Sequence, residues 1–223
     1  MGKRFLLQLK SSLFDLFFPP VCIHCGKRIS KQDDYLCHDC LNNIEYLVPV
    51  ISKVEGLSYD YLISIAKYRD VVVSIIHNLK FYNLSSISDY IAQLIYKQVK
   101  KIKLVLDVNT ITAVPLHSVR KKERGYNQAS LIAKKLANLL KCEYREDVIE
   151  RVSNTVSQAT LDHDKRERNI KQAFKLKKNI DLKHKSIILL DDVFTTGSTT
   201  EECCKVLKKA EPKKIIVLTM GKA

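Results

Sequence analysis

The residues best suited to chemistry in this chain form one continuous segment, in which an apolar run leads into two acids and a hydroxyl-rich loop. The segment reads Ile-Ile-Leu-Leu-Asp-Asp-Val-Phe-Thr-Thr-Gly-Ser-Thr and spans residues 187–199. We expect the apolar run to be a buried parallel strand and the loop to lead into a helix. In open α/β sheets, ligands bind at the carboxyl ends of the strands. The segment therefore predicts a ligand site at its centre.

The loop of this segment suits a sugar phosphate. Backbone N–H groups at a helix N-terminus favour an anion, and Gly197 allows a tight turn beside it. Asp191 and Asp192 cannot bind phosphate, so we expect them to bind ribose hydroxyls or Mg²⁺, directly or through water. The predicted ligand contacts of the segment are Asp191, Asp192, Val193, Thr195, Thr196, Gly197, Ser198 and Thr199.

A second segment, rich in basic residues, could contact further phosphate groups of the same ligand. Residues 113–117 read as the end of an apolar strand, and Arg-Lys-Lys-Glu-Arg-Gly-Tyr-Asn-Gln follows at residues 120–128. We expect this loop at the same sheet edge as Asp191, where guanidinium groups could bind pyrophosphate oxygens in bidentate fashion. The alternative is a basic loop that is only solvated. The predicted contacts here are Pro115, Leu116, Arg120 and Arg124.

Four of the seven cysteines have the spacing of metal ligands. Cys22-x-x-Cys25 and Cys37-x-x-Cys40 are separated by eleven residues, which suits two knuckles closing on one tetrahedral Zn²⁺. A redox Cys-x-x-Cys is the alternative, but it does not need a second pair. Because four thiolates complete the coordination shell, we expect the zinc to be structural. The odd cysteine count and this spacing favour a reducing compartment, so we expect a cytoplasmic protein.

Together these motifs resemble the ComF family of competence proteins, in which a zinc finger precedes a type I phosphoribosyltransferase-like domain. The resemblance rests on the two cysteine pairs, on Val-Pro-Leu-His with Arg-Gly-Tyr-Asn-Gln, and on the segment 187–199. It covers nearly the whole chain. Further matching residues are Phe18-Pro19-Pro20, His77, Lys80, Phe81, Gln158, Arg166, Asn169, Ala173 and Phe174.

The resemblance implies binding of phosphoribosyl pyrophosphate. In such a site Asp191 and Asp192 hold the ribose hydroxyls, residues 195–199 hold the 5-phosphate, and Mg²⁺ bridges ribose and pyrophosphate. The resemblance also implies a role in handling DNA taken up during natural transformation. Two hypotheses remain open: a phosphoribosyltransferase with an unidentified acceptor, or a binding protein that uses the site as a ligand sensor and contacts single-stranded DNA or a partner helicase.

Three parts of the chain must position these residues. Apolar residues recur at helical spacing within residues 1–20, which predicts an amphipathic helix that docks onto the protein or lies on a membrane surface. Residues 21–45 form the predicted zinc module, and residues 60–223 the phosphoribosyltransferase-like domain. Strands and helices alternate in this domain, which predicts an α/β fold with a parallel sheet flanked by helices on both faces.

Periodicity also predicts the individual elements of the domain. The predicted strands cover residues 61–67, 110–115, 147–152, 186–190 and 214–219. The predicted helices cover residues 70–80, 88–101, 127–140, 165–172 and 199–209. The polar stretch 153–164 could form a lid over the site.

The net charge of +14, from 38 Lys and Arg against 24 Asp and Glu, bears on the choice of partners. Such an excess attracts nucleic acid, phosphorylated metabolites or anionic lipid, although solubility alone would also account for it. The composition is 46% hydrophobic and 28% charged, which is typical of a folded protein with a core and not of a disordered chain. No stretch approaches the ~20 apolar residues of a transmembrane span.

Overall fold

The computed structural model describes residues 19–30, 34–48, 54–81, 85–116, 118–152 and 173–223. The predicted N-terminal helix therefore lies almost wholly outside the described residues, and the predicted lid and the basic helix at 165–172 lie outside them altogether.

Within the described ranges, no helix combines the length and apolar character needed to cross a bilayer.

Five parallel strands form the central sheet. In chain order the strands of the described structure are β1 (Tyr61–Lys67), β2 (Thr110–Ala113), β3 (Glu143–Tyr144), β4 (Ile149–Arg151), β5 (Phe174–Leu176), β6 (Ser186–Phe194) and β7 (Lys214–Lys222). The central sheet has the order β1-β7-β6-β2-β3, and all its neighbouring strands are parallel. Strands β4 and β5 pair antiparallel in a separate two-stranded ribbon.

Helices cover both faces of the sheet. They are α1 (His38–Asn42), α2 (Asp70–Phe81), α3 (Ile87–Val99), α4 (Lys103–Leu106), α5 (Ser118–Arg124), α6 (Gln128–Leu140) and α7 (Ser198–Lys208). Successive side chains of β6 point to opposite faces of the sheet. Ile188 and Leu190 pack with α2, α3 and α6, whereas Ile187 and Leu189 pack with the buried cysteines of α7. The predicted α/β class, with helices on both faces, is confirmed.

The ends of β2 and β6 create a notch at the carboxyl edge of the sheet. Strand β2 ends at Ala113, which pairs with Leu190. Strand β6 continues beyond its predicted end to Phe194, because β7 pairs with it as far as Lys222. Asp191 and its neighbour Asp192 therefore lie in the paired overhang of β6, beyond the end of β2.

Two sequence predictions are corrected in this region, and one strand is found that was not predicted. The strand predicted at residues 147–152 exists as β4, but it pairs in the ribbon with β5 and not in the central sheet. The edge position of the sheet is taken by β3, whose two residues are too few to give a periodic signal. The expected loop at residues 120–124 is the helix α5.

The cysteine-containing segment packs directly on the main domain. Its buried Cys22, Leu36 and Ile44 belong to the same apolar cluster as β1, α2 and α3. The chain that follows pairs with the edge of β1, where Leu47 N–H donates to Ile65 O (2.8 Å) and Lys67 N–H donates to Glu45 O (3.0 Å). This segment thus covers an edge that would otherwise expose unpaired backbone groups.

Candidate functional site

The two acids of β6 lie beside each other in the notch. The Asp191 carboxylate accepts a hydrogen bond of 2.9 Å from the backbone N–H of Asp192. Burial, together with the negative charge of Asp192, raises the pKa of Asp191 to about 7. Desolvation disfavours the ionised form of this carboxyl group. A cation, or hydroxyl groups of a ligand that donate hydrogen bonds, would favour the ionised form. The pair is therefore suited to a partner that carries positive charge or hydroxyl groups.

Lys80 already places a cation at this pair. Its Nζ lies 2.8 Å from Oδ2 of Asp192, and the two side chains are only 23% and 13% exposed. The ammonium shows that a cation is accommodated at this carboxylate, and oxygen donors of this type are what Mg²⁺ prefers. The donor set therefore fits Mg²⁺. Lys80 is not among the site residues predicted from the sequence, and its only signal there is the His77-x-x-Lys80-Phe81 pattern.

A cavity of about 180 Å³ joins the two predicted segments. Seven of the predicted site residues line it: Pro115, Leu116, Arg120, Arg124, Asp191, Asp192 and Thr199. Four further polar residues that were not predicted site residues also line it: Lys80, Asn127, Gln128 and Arg151. The expectation that both segments meet at one sheet edge agrees with this geometry.

The basic side of the cavity is anchored on α2 as well as on α5. The guanidinium of Arg124 lies over the Phe81 ring at 5.1 Å from its centroid, and Tyr126 Oη donates to the Leu79 carbonyl at 2.6 Å. Burial and the neighbouring charge of Arg120 lower the pKa of Arg124. The positive charges of Arg120 and Arg124 are therefore close enough to repel each other, and an anionic ligand between them would offset this repulsion.

Gln128, which also lines the cavity, carries an unsatisfied buried donor. The residue is 3% exposed, and its Nε2 has no hydrogen-bond partner among the described residues. The side chain of its neighbour Asn127, by contrast, has hydrogen-bond partners within the protein. Its Oδ1 accepts from Ala129 N–H (3.1 Å), which caps α6, and its Nδ2 donates to Val114 O (2.9 Å). A buried amide N–H₂ without a partner is costly unless a ligand oxygen accepts from it. Gln128 is thus a ligand-binding candidate that spacing alone did not reveal.

The hydroxyl-rich loop forms the turn into α7. Gly197 has φ 79° and precedes the first helical residue, Ser198. A Cβ at position 197 would lie 2.6 Å from Cζ of Phe194, so only glycine fits without rearrangement. Thr196 Oγ1 and Ser198 Oγ are 3.0 Å apart. Thr199 lines the cavity, whereas the other predicted contacts of this segment lie in the strand end and turn outside its lining: Val193, Thr195, Thr196, Gly197 and Ser198.

The four predicted metal-binding cysteines come together in one cluster. The Sγ atoms of Cys22, Cys25, Cys37 and Cys40 all lie within 4.8 Å of one another, and those of Cys25 and Cys37 are 3.7 Å apart. Tetrahedral zinc with Zn–S bonds of about 2.3 Å requires sulfur atoms about 3.8 Å apart. The cluster is therefore consistent with a structural zinc site.

Backbone amides favour the thiolate form of Cys22 in this cluster. Burial acts to raise the pKa of the Cys22 thiol, but hydrogen bonds from the backbone at Cys25, Cys37 and His24 outweigh it and lower the pKa to about 6. A thiolate is the form that binds zinc. The local backbone is thus arranged for an ionised sulfur at Cys22, whereas burial and hydrogen bonds with the other three cysteines raise the pKa of Cys40.

Comparisons with known proteins bear on both sites. Residues 126–221 match a family model described as a phosphoribosyl transferase domain, and residues 13–56 match a double zinc ribbon domain. Competence protein F of Haemophilus influenzae is 31% identical over 209 residues, which cover 92% of this chain and 85% of that protein. DNA utilization protein YhgH of Escherichia coli is 32% identical over 192 residues, which cover 84% and 83%. Among solved structures, adenine phosphoribosyltransferase from Thermoanaerobacter pseudethanolicus aligns with 83% of this chain and 98% of its own, at 13% identity and a TM-score of 0.41.

Proposed function

This chain belongs to the family of competence protein F and DNA utilization protein YhgH, and on that premise we propose that it binds phosphoribosyl pyrophosphate together with Mg²⁺. The observation that carries the proposal is the single cavity that joins the acids Asp191 and Asp192 to the arginines of α5 and the start of α7. Its acids suit the ribose hydroxyls and the metal, and its cations suit the phosphate groups.

Each part of the cavity has a separate task in this proposal. The N-terminus of α7 and its hydroxyl groups bind the 5-phosphate, because unpaired N–H groups and the helix dipole favour an anion. Arg120, Arg124 and Gln128 bind the pyrophosphate oxygens. When bound at the acids, Mg²⁺ would supply charge neutralisation to the pyrophosphate.

The same arrangement supports transfer of the ribosyl phosphate group to a nucleophile. The bond from ribose C1 to the pyrophosphate oxygen breaks, its electron pair leaves with pyrophosphate, and the nucleophile forms a new bond to C1. Arg120 and Arg124 stabilise the charge that develops on the leaving group. Because no side-chain nucleophile is needed, the chemistry depends on binding and electrostatics; nitrogen is one candidate for the acceptor atom.

Pyrophosphate release tests this function. The protein is incubated with phosphoribosyl pyrophosphate, Mg²⁺ and a panel of bases, amines and single-stranded DNA, while calorimetry measures binding separately. Binding with acceptor-dependent release supports a transferase. Binding without release supports a ligand sensor, and the absence of binding would overturn the proposal.

Gln128→Met is expected to weaken phosphoribosyl pyrophosphate binding about tenfold, because it removes a hydrogen-bond donor to the ligand. Tm should not fall, because the substitution also removes an unsatisfied buried amide that costs the folded state about 1–3 kcal/mol. Calorimetry and thermal unfolding provide the two measurements. Gln93→Met, at an exposed position of α3, is the matched control and should change neither. A lower Tm with intact ligand binding would show that the Gln128 amide has only a structural role.

We also propose that the four-cysteine cluster holds one structural Zn²⁺. The sulfur spacing and the match to a double zinc ribbon support this. Four thiolates leave no coordination position for a substrate, so the metal would stabilise the module and take no part in the chemistry.

A role in handling DNA taken up during natural transformation is the second candidate function. The names of the two relatives and the net charge of +14 favour it. Contact with single strands would be electrostatic, either directly or as the partner of a competence helicase. This role is compatible with a phosphoribosyl site, because both ligands are ribose or deoxyribose phosphates.

Single-stranded DNA binding is expected to weaken steeply with salt, by a slope of about 0.7 per phosphate contact in a plot of log affinity against log salt. On α5, Lys121 and Lys122 are exposed, whereas Arg120 and Arg124 line the cavity. Lys121→Ala with Lys122→Ala should therefore reduce the slope and the affinity for DNA while leaving phosphoribosyl pyrophosphate binding intact. Fluorescence anisotropy of labelled oligonucleotides over a salt series measures both.

The control for this pair changes the same charge elsewhere. Lys100→Ala with Lys101→Ala removes two exposed lysines after α3 and should leave the slope close to that of wild type. If both double variants bind equally well, the DNA contacts lie on another surface. If wild type does not bind even at low salt, any role with DNA must depend on a partner protein.

A further inference from the structure

Lys80 joins the candidate site from a distant part of the fold. It lies in the last turn of α2, which follows β1, whereas Asp192 lies in β6. Their ion pair, with an Nζ–Oδ2 distance of 2.8 Å, is largely shielded from solvent, in contrast to exposed pairs such as Lys135 with Asp89. Each charge of such a shielded pair depends on the other, because either one alone would be buried and poorly solvated.

The backbone around Lys80 is held on both sides. Leu79 O accepts the Tyr126 hydroxyl at 2.6 Å, and the Phe81 ring lies under the Arg124 guanidinium at 5.1 Å. The end of α2 is thereby tied to the 124–126 segment that forms the basic side of the cavity. The Lys80 side chain can still change its partner, because four methylene groups separate its ammonium from this fixed backbone.

Lys80 and a divalent cation compete for the same carboxylate. Asp192 is one of the two acids expected to face Mg²⁺ or ribose hydroxyls, and its Oδ2 is already bound by the ammonium. Two cations at one carboxylate repel each other, the more strongly where water is largely excluded. A metal that binds to Asp192 therefore favours departure of Lys80, and phosphate oxygens of a ligand in the cavity would give the displaced ammonium a new partner.

We propose that Lys80 is an exchangeable counter-ion: it neutralises Asp192 in the ligand-free protein and transfers to a phosphate oxygen when the metal and the phosphoribosyl ligand bind. This inference rests on the proposed function. It makes the two ligands cooperative, because the metal must displace Lys80 and the phosphorylated ligand supplies the displaced ammonium with a partner. Lys80 is thus a positioning residue for the loading of the site.

Lys80→Met tests the exchange with two measurements that should move in opposite directions. Titration with Mn²⁺ alone, followed by calorimetry and by the electron paramagnetic resonance of the free ion, should show about tenfold tighter metal binding, because the competing cation is gone. Binding of phosphoribosyl pyrophosphate at saturating Mg²⁺ should weaken about tenfold, as expected for the loss of one charge-assisted hydrogen bond. Both titrations are made at pH 8, above the pKa of Asp191.

The controls separate this role from a purely structural one. Lys135→Met removes the lysine of an exposed ion pair of 2.9 Å with Asp89 and should change neither affinity. Lys80→Arg keeps the positive charge and should keep metal binding close to that of wild type. If Lys80→Met lowers Tm and weakens both ligands together, or leaves Mn²⁺ affinity unchanged, the exchange is overturned.

Failure of the proposed function gives a different result. If wild type does not bind phosphoribosyl pyrophosphate, that function and the transfer of Lys80 to its phosphate are both overturned. If wild type binds it and Lys80→Met binds both ligands with unchanged affinity, the function stands and only the exchange is wrong.

Discussion

Asp191→Asn combined with Asp192→Asn is expected to reduce Mg²⁺-dependent binding of phosphoribosyl pyrophosphate by at least about 100-fold. Each carboxylate would lose a charged interaction worth about 1.5–3 kcal/mol, and the two losses together exceed two powers of ten. Any residual affinity should no longer depend on Mg²⁺, since the remaining phosphate contacts come from cations and helix N–H groups. Calorimetry with and without Mg²⁺ measures both effects.

The double variant needs a control with the same chemical change. Asp107→Asn with Asp181→Asn alters two exposed aspartates and should leave the affinity and its Mg²⁺ dependence as in wild type. Equal binding by wild type and by the Asp191 and Asp192 double variant would remove the basis for placing the ribose at the end of β6.

The raised pKa of Asp191 gives this acid a measurable effect on stability. Burial and the charge of Asp192 raise its pKa to about 7 in the folded protein, against about 3.9 in an unfolded chain. Between these values the folded state binds the proton that the unfolded state has lost, so stability falls as pH rises through this window. Asp191→Asn should therefore raise Tm relative to wild type at pH 8 and have little effect at pH 4. Thermal unfolding at both pH values tests the sign.

The acids thus illustrate why part of the site could be predicted from the sequence. The apolar run, the two acids and the loop are consecutive, so one strand and one turn determine where they lie. The cysteine pairs are equally local, and the family matches confirm the phosphoribosyl transferase domain and the zinc ribbon that these two motifs indicated. Strand β1 has the predicted bounds, since it is a short run of largely apolar residues between polar ones.

Other parts depend on contacts that no local pattern contains. Lys80 meets Asp192 only because α2 packs on the face of the sheet that contains β6. Gln128 stands out because its Nε2 lacks a partner in the described structure, which is a property of packing and not of spacing. The short strand β3 is set by its pairing with β2. Tertiary context decided each of these features.

The four-cysteine module also depends on tertiary context, because it is packed against the phosphoribosyltransferase-type domain. Cys22 and Cys40 share the apolar cluster of α2, and His24 Nδ1 lies 2.9 Å from Ser74 Oγ on the same helix. The segment after the module covers the edge of β1 through the pairing of Tyr46 with Ala66. Loss of the metal should therefore disturb more than the module itself.

Cys37→Ser is expected to abolish copurification of zinc, which should otherwise be one ion per chain. A hydroxyl cannot replace a thiolate ligand, and zinc-dependent modules of this size have too little core to fold without the metal. Tm should fall by more than about 10 °C, since each kcal/mol lost shifts Tm by about 2–4 °C in a chain of this size. Elemental analysis and thermal unfolding measure the two effects.

Solubility should fall together with Tm, for a reason that the fold supplies. When the module unfolds, the segment at Glu45–Leu47 loses its anchor and the backbone groups of β1 at Ile65 and Lys67 become unpaired. An exposed strand edge of this kind promotes association between chains. Cys142→Ser changes a cysteine outside the cluster and should retain zinc, Tm and solubility. Wild-type protein prepared without metal, and with the four thiols joined in disulfides, would contradict the zinc assignment; retention of one zinc by Cys37→Ser would show that Cys37 is not a ligand.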